Sequence, residues 1–229
     1  MRIAIAAAVV VLLALAALGV RLILGSHQAP SPLALTTALP SSSTSGLAGS
    51  WTVGGGSQVG YRVKEKFVNQ PSETEAVART SSVHGNLVVA VDSGTVKASR
   101  MKFTADLSTL QSQDKFASYQ IYQRDFFVRT IYLQTDSFPT ATFIADTLSF
   151  ALPAGGPATL DVTGKLTVHG VTRGVTARLQ ATGGGSQAEI AGSMSVDMRD
   201  FAIDPPDISF TRAEPQVTIE FDLKLVRAT

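Results

Sequence analysis

The chain has 229 residues, of which 45% are hydrophobic and 16% charged, and its formal net charge is +1. That length can bury one sizeable core, and the near-neutral charge argues against nucleic acid as a partner. The absence of cysteine excludes disulfides, thiolate metal sites and a cysteine nucleophile.

The first segment is typical of a membrane-spanning helix. Between Arg2 and Arg21 the run IAIAAAVVVLLALAALGV holds 18 residues without a charge, and LIL follows Arg21. This is enough to cross roughly 30 Å of hydrocarbon. A cleaved signal peptide is the alternative, but no clean small-x-small site follows the run. We therefore predict an uncleaved anchor over residues 1–24, which crosses the cytoplasmic membrane once through residues 3–24 and leaves the remainder on the extracytoplasmic side.

Residues 25–50 contain no Lys, Arg, Asp or Glu and are rich in Ser, Thr, Pro and Ala. This composition predicts a flexible tether that packs against nothing, with a root-mean-square span of roughly 28 Å. The folded domain is expected over residues 51–229.

From Trp51 onward, apolar and polar residues alternate with a period of two, which is the pattern of strands with one dry face. The alternating sets begin at Val59, Val83, Met101, Thr140, Val162, Val175, Ala188 and Val217. About eight strands of roughly ten residues predict an all-β fold, an eight-stranded antiparallel barrel.

Two stretches add detail to this barrel. VTGKLTVHGVTRGV, which starts at Val162, predicts a hairpin with a glycine-assisted turn at His169-Gly170. In DKFASYQIYQRDFFVRTIYLQ, which starts at Asp114, residues recur at spacings of three and four, so part of it is predicted to be helical and to end before Pro139. We expect this short helical insertion to cap one end of the barrel.

The segments QSQDKFASYQIYQRDFF, SFPTATF, VTGKLTVHGVTRGV and MRDFAI follow one another after an opening Trp51 and VGYRV. In order and spacing they resemble the YceI-like, polyisoprenoid-binding family of secreted bacterial proteins over about residues 50–227. The resemblance implies an extended lipocalin-like barrel that holds an isoprenoid or another long-chain amphiphile. The chain departs from the family at Phe126-Phe127, where relatives commonly carry His-Leu, and at Ala202, where they carry glycine.

The alternation alone does not show whether the inward apolar side chains fill the barrel or surround an empty lumen. Inward-facing side chains that fill a small core are one interpretation. A hollow lumen is the other, and it is favoured because Val, Ala, Gly, Met and Leu outnumber aromatic residues in the strands. A transmembrane barrel with its apolar face outward is disfavoured, because the chain lacks paired aromatic girdles.

Candidate ligand-binding residues come from the insertion and from the strands. Arg124 and Asp125 offer charge to a ligand head group, although two separate structural salt bridges are the favoured alternative. We expect the aromatic residues of the insertion to be buried against the barrel mouth, because exposed aromatic patches are rare on soluble monomers. These aromatic residues are Phe116, Tyr119, Phe126 and Phe127. The candidates for the lumen and its mouth are Tyr61, Phe103, Phe143, Leu166, Val168, Phe201 and Phe221.

Catalysis is not expected. The histidines are His27, His84 and His169, no two of them have metal-ligand spacing, and neither a metal nor a cofactor is predicted. We predict non-enzymatic binding of an isoprenoid-type or other long-chain lipid, for storage, shielding or transport outside the cytoplasmic membrane. The alternative is an extracytoplasmic protein-interaction module with a filled core, while an enzyme acting on the lipid's pyrophosphate is disfavoured. The expected partners are the lipid and the membrane, without nucleic acid, and a homodimer is left open.

Overall fold

The computed structural model describes residues 29–36, 44, 46–68, 70–114, 121–153 and 156–228. The strands are β1 Gly49–Val53, β2 Gln58–Phe67, β3 Thr74–Thr80, β4 Val83–Asp92, β5 Thr95–Asp106, β6 Gln111–Ser112, β7 Thr140–Ala145, β8 Leu148–Ala151, β9 Ala158–Val168, β10 Val171–Gly184, β11 Gln187–Asp197, β12 Asp207–Ile208 and β13 Thr211–Arg227. The helical elements are α1 Ile121–Phe127, a π-helical turn Val128–Tyr132, and the 3-10 helices Leu107–Thr109 and Met198–Phe201.

Eight strands close into an antiparallel barrel in the order β1-β4-β5-β7-β9-β10-β11-β13, and β13 returns to β1. The first part of β13 pairs with β2 and its last residues pair with β1. Strands β1 and β2 therefore act as one long strand with a break between them. The all-β fold, the eight-stranded barrel and the short helix agree with the sequence prediction and confirm it.

Strand β3 was not apparent from the alternation of apolar and polar residues. Its consecutive residues Ala76, Val77 and Ala78 are all buried. β3 pairs with β2 on one side and with β6 on the other, and the backbone N–H of Gln113 donates to the carbonyl of Val77. A strand that is covered on both faces has no polar face, so a period of two cannot reveal it.

The two ends of the barrel differ. One end carries α1, the π-helical turn and the 3-10 helix Met198–Phe201, and we call it the helical end. At the other, the tryptophan end, Trp51 is buried and its Nε1 donates to the carbonyl of Leu47 at 2.9 Å. The guanidinium of Arg227 lies 5.5 Å from the Trp51 ring centroid. These contacts cover the tryptophan end of the lumen.

The predicted turn between β9 and β10 is a two-residue turn at the helical end. His169 and Gly170 both have positive φ, 51° and 74°, as the tight hairpin turns that match the twist of antiparallel strands require. His169 Nδ1 lies 3.3 Å from the carbonyl oxygen of Phe201, and its ring packs edge-on against Phe138. His169 therefore has a local, structural role in this turn.

Two inward-facing glycines make room for aromatic rings from neighbouring strands. A Cβ at Gly164 would come within 2.7 Å of the Phe143 ring, and one at Gly85 would come within 2.6 Å of the Phe103 ring. The rings occupy the space that a side chain would take on the adjacent strand. Phe103 and Phe143 consequently form part of the lumen wall.

Part of the segment predicted to be a flexible tether lies against the outer face of the barrel. The backbone N–H of Leu33 donates to Glu220 Oε2 at 3.1 Å, and that of Thr36 donates to Glu189 Oε1 at 2.6 Å. Both carboxylates are only 1% exposed. The expectation that this segment packs against nothing is therefore wrong for residues 29–36, because buried acceptors on the barrel satisfy its backbone.

Two arginines of the same barrel face hold this segment through its carbonyl groups. Arg62 donates to the carbonyl of Pro30 at 2.5 Å and to Glu220 at 2.7 Å, while Arg79 donates to the carbonyl of Ser31 at 2.6 Å. Residues 29–36 thus form a strap over charged residues of β2, β3, β11 and β13, and we use this name below.

The predicted anchor over residues 1–24 lies outside the described residues, as do residues 25–28, 37–43 and 45 of the predicted tether. Among the residues that the structure does describe, no helix is long and apolar enough to cross a membrane.

Candidate functional site

The lumen of the barrel contains two adjoining cavities. The inner chamber, towards the tryptophan end, has a volume of about 180 Å³, and the outer chamber, at the helical end, about 170 Å³. Each is many times larger than the roughly 10–15 Å³ that one water molecule needs. They share the wall residues Val59, Ala105, Ala141 and Ile219. The barrel is therefore hollow along its axis, unlike the filled core that the sequence left open.

The wall of the inner chamber is almost entirely apolar. Its only polar side-chain groups are the hydroxyls of Thr104 and Thr182 and the indole N–H of Trp51, which already donates to the Leu47 carbonyl. A water molecule would find few hydrogen-bond partners in such a space, whereas a hydrocarbon chain would fit it. Four of the sequence-predicted residues lie in this wall, namely Phe103, Phe143, Leu166 and Phe221.

The outer chamber combines apolar walls with a small polar group. The predicted residues Tyr61, Val168 and Phe201 line it. Glu65 lines it as well and was not among the predicted residues. The π-helical turn and the residue after it supply a roof through Val128, Tyr132 and Leu133. The two chambers together thus offer an apolar interior with polarity at one end.

Glu65 has the most unusual environment in the outer chamber. Its side chain is 11% exposed, and its Oε2 lies 3.9 Å from Arg124 Nη1. Among the described residues no donor forms a hydrogen bond with this buried oxygen. Burial raises the pKa of Glu65 to about 6, although the nearby Arg124 charge opposes the increase. One buried carboxyl oxygen is therefore available to a ligand.

Tyr61 is four residues before Glu65 in β2, so the two side chains lie on the same inward face of the strand. Burial raises the pKa of its phenol well above the ordinary value, although Arg124 opposes the shift. Tyr61 is consequently neutral at physiological pH and can donate or accept one hydrogen bond in the chamber.

Arg124 is fixed behind the chamber by a buried ion pair. Its Nη1 donates to Asp114 Oδ2 at 3.0 Å, its Nη2 donates to Asp114 Oδ1, and its Nε donates to Ser112 Oγ at 3.1 Å. Asp114 is itself buried and also accepts from the backbone N–H of Val77. Burial lowers the pKa of Arg124, but the hydrogen bonds and charge of Asp114 outweigh it and raise the pKa overall. The guanidinium therefore stays charged.

Asp125 points to a different partner from Arg124. It accepts from the backbone N–H of Ser112 at 3.0 Å and also from the Ser112 hydroxyl. The two neighbouring residues thus anchor α1 to β6 and to the residues after it, in separate interactions. Neither is a wall residue of the two chambers, so this geometry is structural, and Arg124 influences the lumen through Glu65.

The expected burial of Phe126 and Phe127 is wrong. Their side chains are 56% and 45% exposed, and their rings contact each other at 5.8 Å. Val128 and Tyr132 are four residues apart and so share one helix face, which covers the outer chamber. Phe126 and Phe127 line neither chamber and point to the surface. Phe116 and Tyr119 lie outside the described residues.

The position of Glu65 in the lumen could have been predicted from the alternation in its strand. Val59, Tyr61 and Val63 face inward, and Glu65 continues the same register. A carboxyl group in an inward position is unusual and indicates a special environment. Arg124 lies 59 residues after Glu65, so nothing in the sequence around Glu65 could predict that the two side chains are close together.

Comparison with known proteins agrees with this architecture. The family model of the YceI-like domain matches residues 53–225. A UPF0312 protein of Pseudomonas putida (strain GB-1) is 28% identical over 135 residues, which are 56% of this chain and only 65% of that relative. A UPF0312 protein of Pseudomonas syringae pv. tomato is 26% identical over 151 residues, 61% of this chain and 73% of the relative.

Solved structures show the same fold. A polyisoprenoid binding domain from Saccharophagus degradans, implicated in plant cell wall breakdown, superposes with a TM-score of 0.55 at 12% identity and covers 78% of this chain and 98% of its own. Burkholderia cenocepacia BcnA superposes with a TM-score of 0.50 at 23% identity, and the match covers 76% of this chain and 96% of BcnA. The family match spans almost the whole barrel, and the fold agrees with it: the chain belongs to the YceI-like domain family.

Proposed function

We propose that the barrel binds one isoprenoid-type or other long-chain amphiphilic lipid, with its tail in the inner chamber and its head in the outer chamber. The observation that carries this proposal is the distribution of polarity, because the lumen is apolar except for Tyr61, Glu65 and a few hydroxyl groups. The fold neighbour described as a polyisoprenoid binding domain supports it.

The lumen has a shape that suits a long tail. Along β13, inward side chains from Val217 in the outer chamber to Leu225 in the inner chamber line it. Eight residue steps correspond to roughly 26 Å along a strand. A narrow apolar space of this length favours an extended hydrocarbon over a compact ligand.

The charges at the outer chamber favour a neutral head group. Ionised Glu65 would repel a phosphate, and the Arg124 charge that could offset this repulsion is already paired with Asp114. A hydroxyl or phenol could instead donate to the Glu65 oxygen that has no donor among the described residues. We therefore expect an alcohol or phenol head rather than a phosphate.

The proposed role is binding without chemistry, for storage, shielding or transport of the lipid outside the cytoplasmic membrane. The anchor through residues 3–24 and the extracytoplasmic location of the barrel belong to this proposal. The charge-free run between Arg2 and Arg21 supports them.

The test is mass analysis of an organic extract from the full chain, purified in detergent and then refilled with equal amounts of a polyprenol and its phosphate at pH 7.5. We expect one lipid per chain and a preference for the polyprenol, and Glu65→Gln should lose most of that preference. A chain that takes up neither lipid would contradict the proposed function. An unchanged preference in Glu65→Gln would contradict only the role of Glu65.

A further inference from the structure

The large hydrophobic side chains that remain exposed are concentrated at one end of the barrel. Among the described residues there are eight of them, and six lie at the helical end. These six residues form what we call the helical-end patch: Val68, Phe126, Phe127, Ile131, Ile208 and Phe210. The other two are Ile144 on the outer wall and Val226 at the tryptophan end.

Two parts of the chain contribute to the patch. Val68 and Phe210 meet where the Val68 backbone N–H donates to the Phe210 carbonyl at 3.0 Å, and Ile208 belongs to the adjacent short strand β12. Phe126, Phe127 and Ile131 lie on α1 and the π-helical turn. Both parts adjoin residues of the outer-chamber wall, because Pro206 directly precedes β12 and Val128 directly follows Phe127. The patch therefore lies at the end of the lumen that holds the polar group.

Exposed apolar side chains that gather at one place on a protein mark contact surfaces. Val68 is 71% exposed, and Ile131 is 55% exposed. The side chains project from a helix and two strand ends rather than line a groove. Such projecting groups can enter the boundary layer of a bilayer, whereas a protein partner would need a complementary pocket.

The strap indicates which surface the patch faces. Thr36 lies beside Glu189 and Lys224, Leu33 beside Glu220, and Pro30 beside Arg62. From Thr36 to Pro30 the strap therefore runs along β13 in the direction of Thr211, the first residue of that strand, which lies at the helical end.

The distance from the strap to the apolar run is short. Five residue steps separate residue 29 from residue 24, where the predicted span ends, and they reach at most about 17 Å. A membrane span that ends at residue 24, as the sequence predicts, would therefore lie within reach of the half of the barrel that carries the patch.

We propose that the helical end docks on the surface of a phospholipid bilayer through the helical-end patch. The barrel then stands with its outer chamber against the membrane and its tryptophan end away from it. A lipid could pass between bilayer and lumen without crossing water. The docking itself depends only on the patch and the strap, so it holds whether or not the lumen binds the lipid proposed above.

The absence of natural cysteine allows a direct test on the full chain. Ile131→Cys and Val226→Cys, each labelled with bimane, are reconstituted in vesicles of phosphatidylcholine with nitroxides on the lipid chains near the head groups. Both positions are exposed, so neither substitution disturbs the core. We expect several-fold stronger quenching at position 131 than at position 226.

A second comparison links the quenching to the patch. In a chain labelled at Phe210→Cys, the double substitution Phe126→Ser with Phe127→Ser should reduce quenching several-fold, whereas Ile144→Ser, on the outer wall, should leave it unchanged. Equal quenching at positions 131 and 226, or none at either, would overturn the proposal. The label at position 131 could instead become shielded in detergent as the protein concentration rises, without being quenched by the lipids. That result would assign the patch to a contact with a second copy of the chain and would also overturn the proposal.

Discussion

Ala202 adopts a backbone conformation that side chains rarely take. It follows the 3-10 helix Met198–Phe201 with φ 56° and ψ 37°, in the left-handed region. An L-residue with a Cβ is strained there by about 1–2 kcal/mol. Glycine would remove this strain, but it also makes the unfolded chain more flexible, which offsets part of the gain in stability.

We therefore expect Ala202→Gly to raise the free energy of unfolding by about 1 kcal/mol, measured by urea denaturation. Ala90→Gly is the matched control, because Ala90 is exposed in strand β4 with an ordinary conformation, and there the same change should lower stability. A loss of stability in both variants would show that Ala202 is not strained.

Glu65 should make the fold less stable as the pH rises. Its pKa is about 6 in the folded protein against an ordinary value of 4.5, so between these values the folded state binds more protons than the unfolded state. Stability then falls from about pH 4.5 to pH 6 and stays lower above it, by about 2 kcal/mol.

Glu65→Gln removes this effect, because a glutamine cannot ionise. Thermal unfolding should show the variant to be more stable than the natural chain at pH 8 and equal to it below pH 4.5. Parallel stability curves over the whole range, with a constant offset, would mean that Glu65 does not titrate with a raised pKa.

The buried ion pair between Arg124 and Asp114 attaches α1 to the barrel. Arg124→Met should reduce stability by about 3 kcal/mol, because it leaves a buried carboxylate without its charged partner, and amide exchange in residues 121–132 should become faster. Arg199→Met provides a matched control. Arg199 pairs with Asp197 on the surface and is 61% exposed, so its loss should have almost no effect. Similar results for the two variants would contradict a special role of Arg124.

Elements with a local signal were predictable from the sequence, and those that depend on distant contacts were not. The alternation at Val162–Val168 and the His169-Gly170 turn predicted the β9–β10 hairpin because both the period and the turn are local properties. The strap was predicted to be flexible, because nothing within residues 29–36 reveals that Glu189 and Glu220 lie beneath it. The same limit applies to Arg124, whose partners come from two other elements.

On the scale of the whole molecule, the barrel has a closed end, an apolar interior and a polar end under a helical roof. Trp51 and Leu47 cover the closed end, while Glu65, Tyr61 and the π-helical turn define the other. The inward register of the strands predicted seven of the wall residues, whereas the position and size of the empty space depend on how all strands pack together.

Leu166→Trp tests whether the inner chamber holds the tail of a lipid. Leu166 lies in the chamber wall with its side chain buried, so a larger ring should enter the cavity rather than strain a packed core. Ile144→Trp is the matched control, because it adds the same ring on the outer face of a neighbouring strand.

The measurement is a titration of the full chain with a fluorescent polyprenol, with melting temperatures recorded alongside. We expect the natural chain and Ile144→Trp to bind one polyprenol per chain. Leu166→Trp should bind at least about tenfold more weakly, a loss of about 1.4 kcal/mol, with an unchanged melting temperature. Full binding by Leu166→Trp would contradict tail binding in the inner chamber. A loss of binding together with a melting temperature lowered by overpacking, which costs about 1–3 kcal/mol, would contradict it as well.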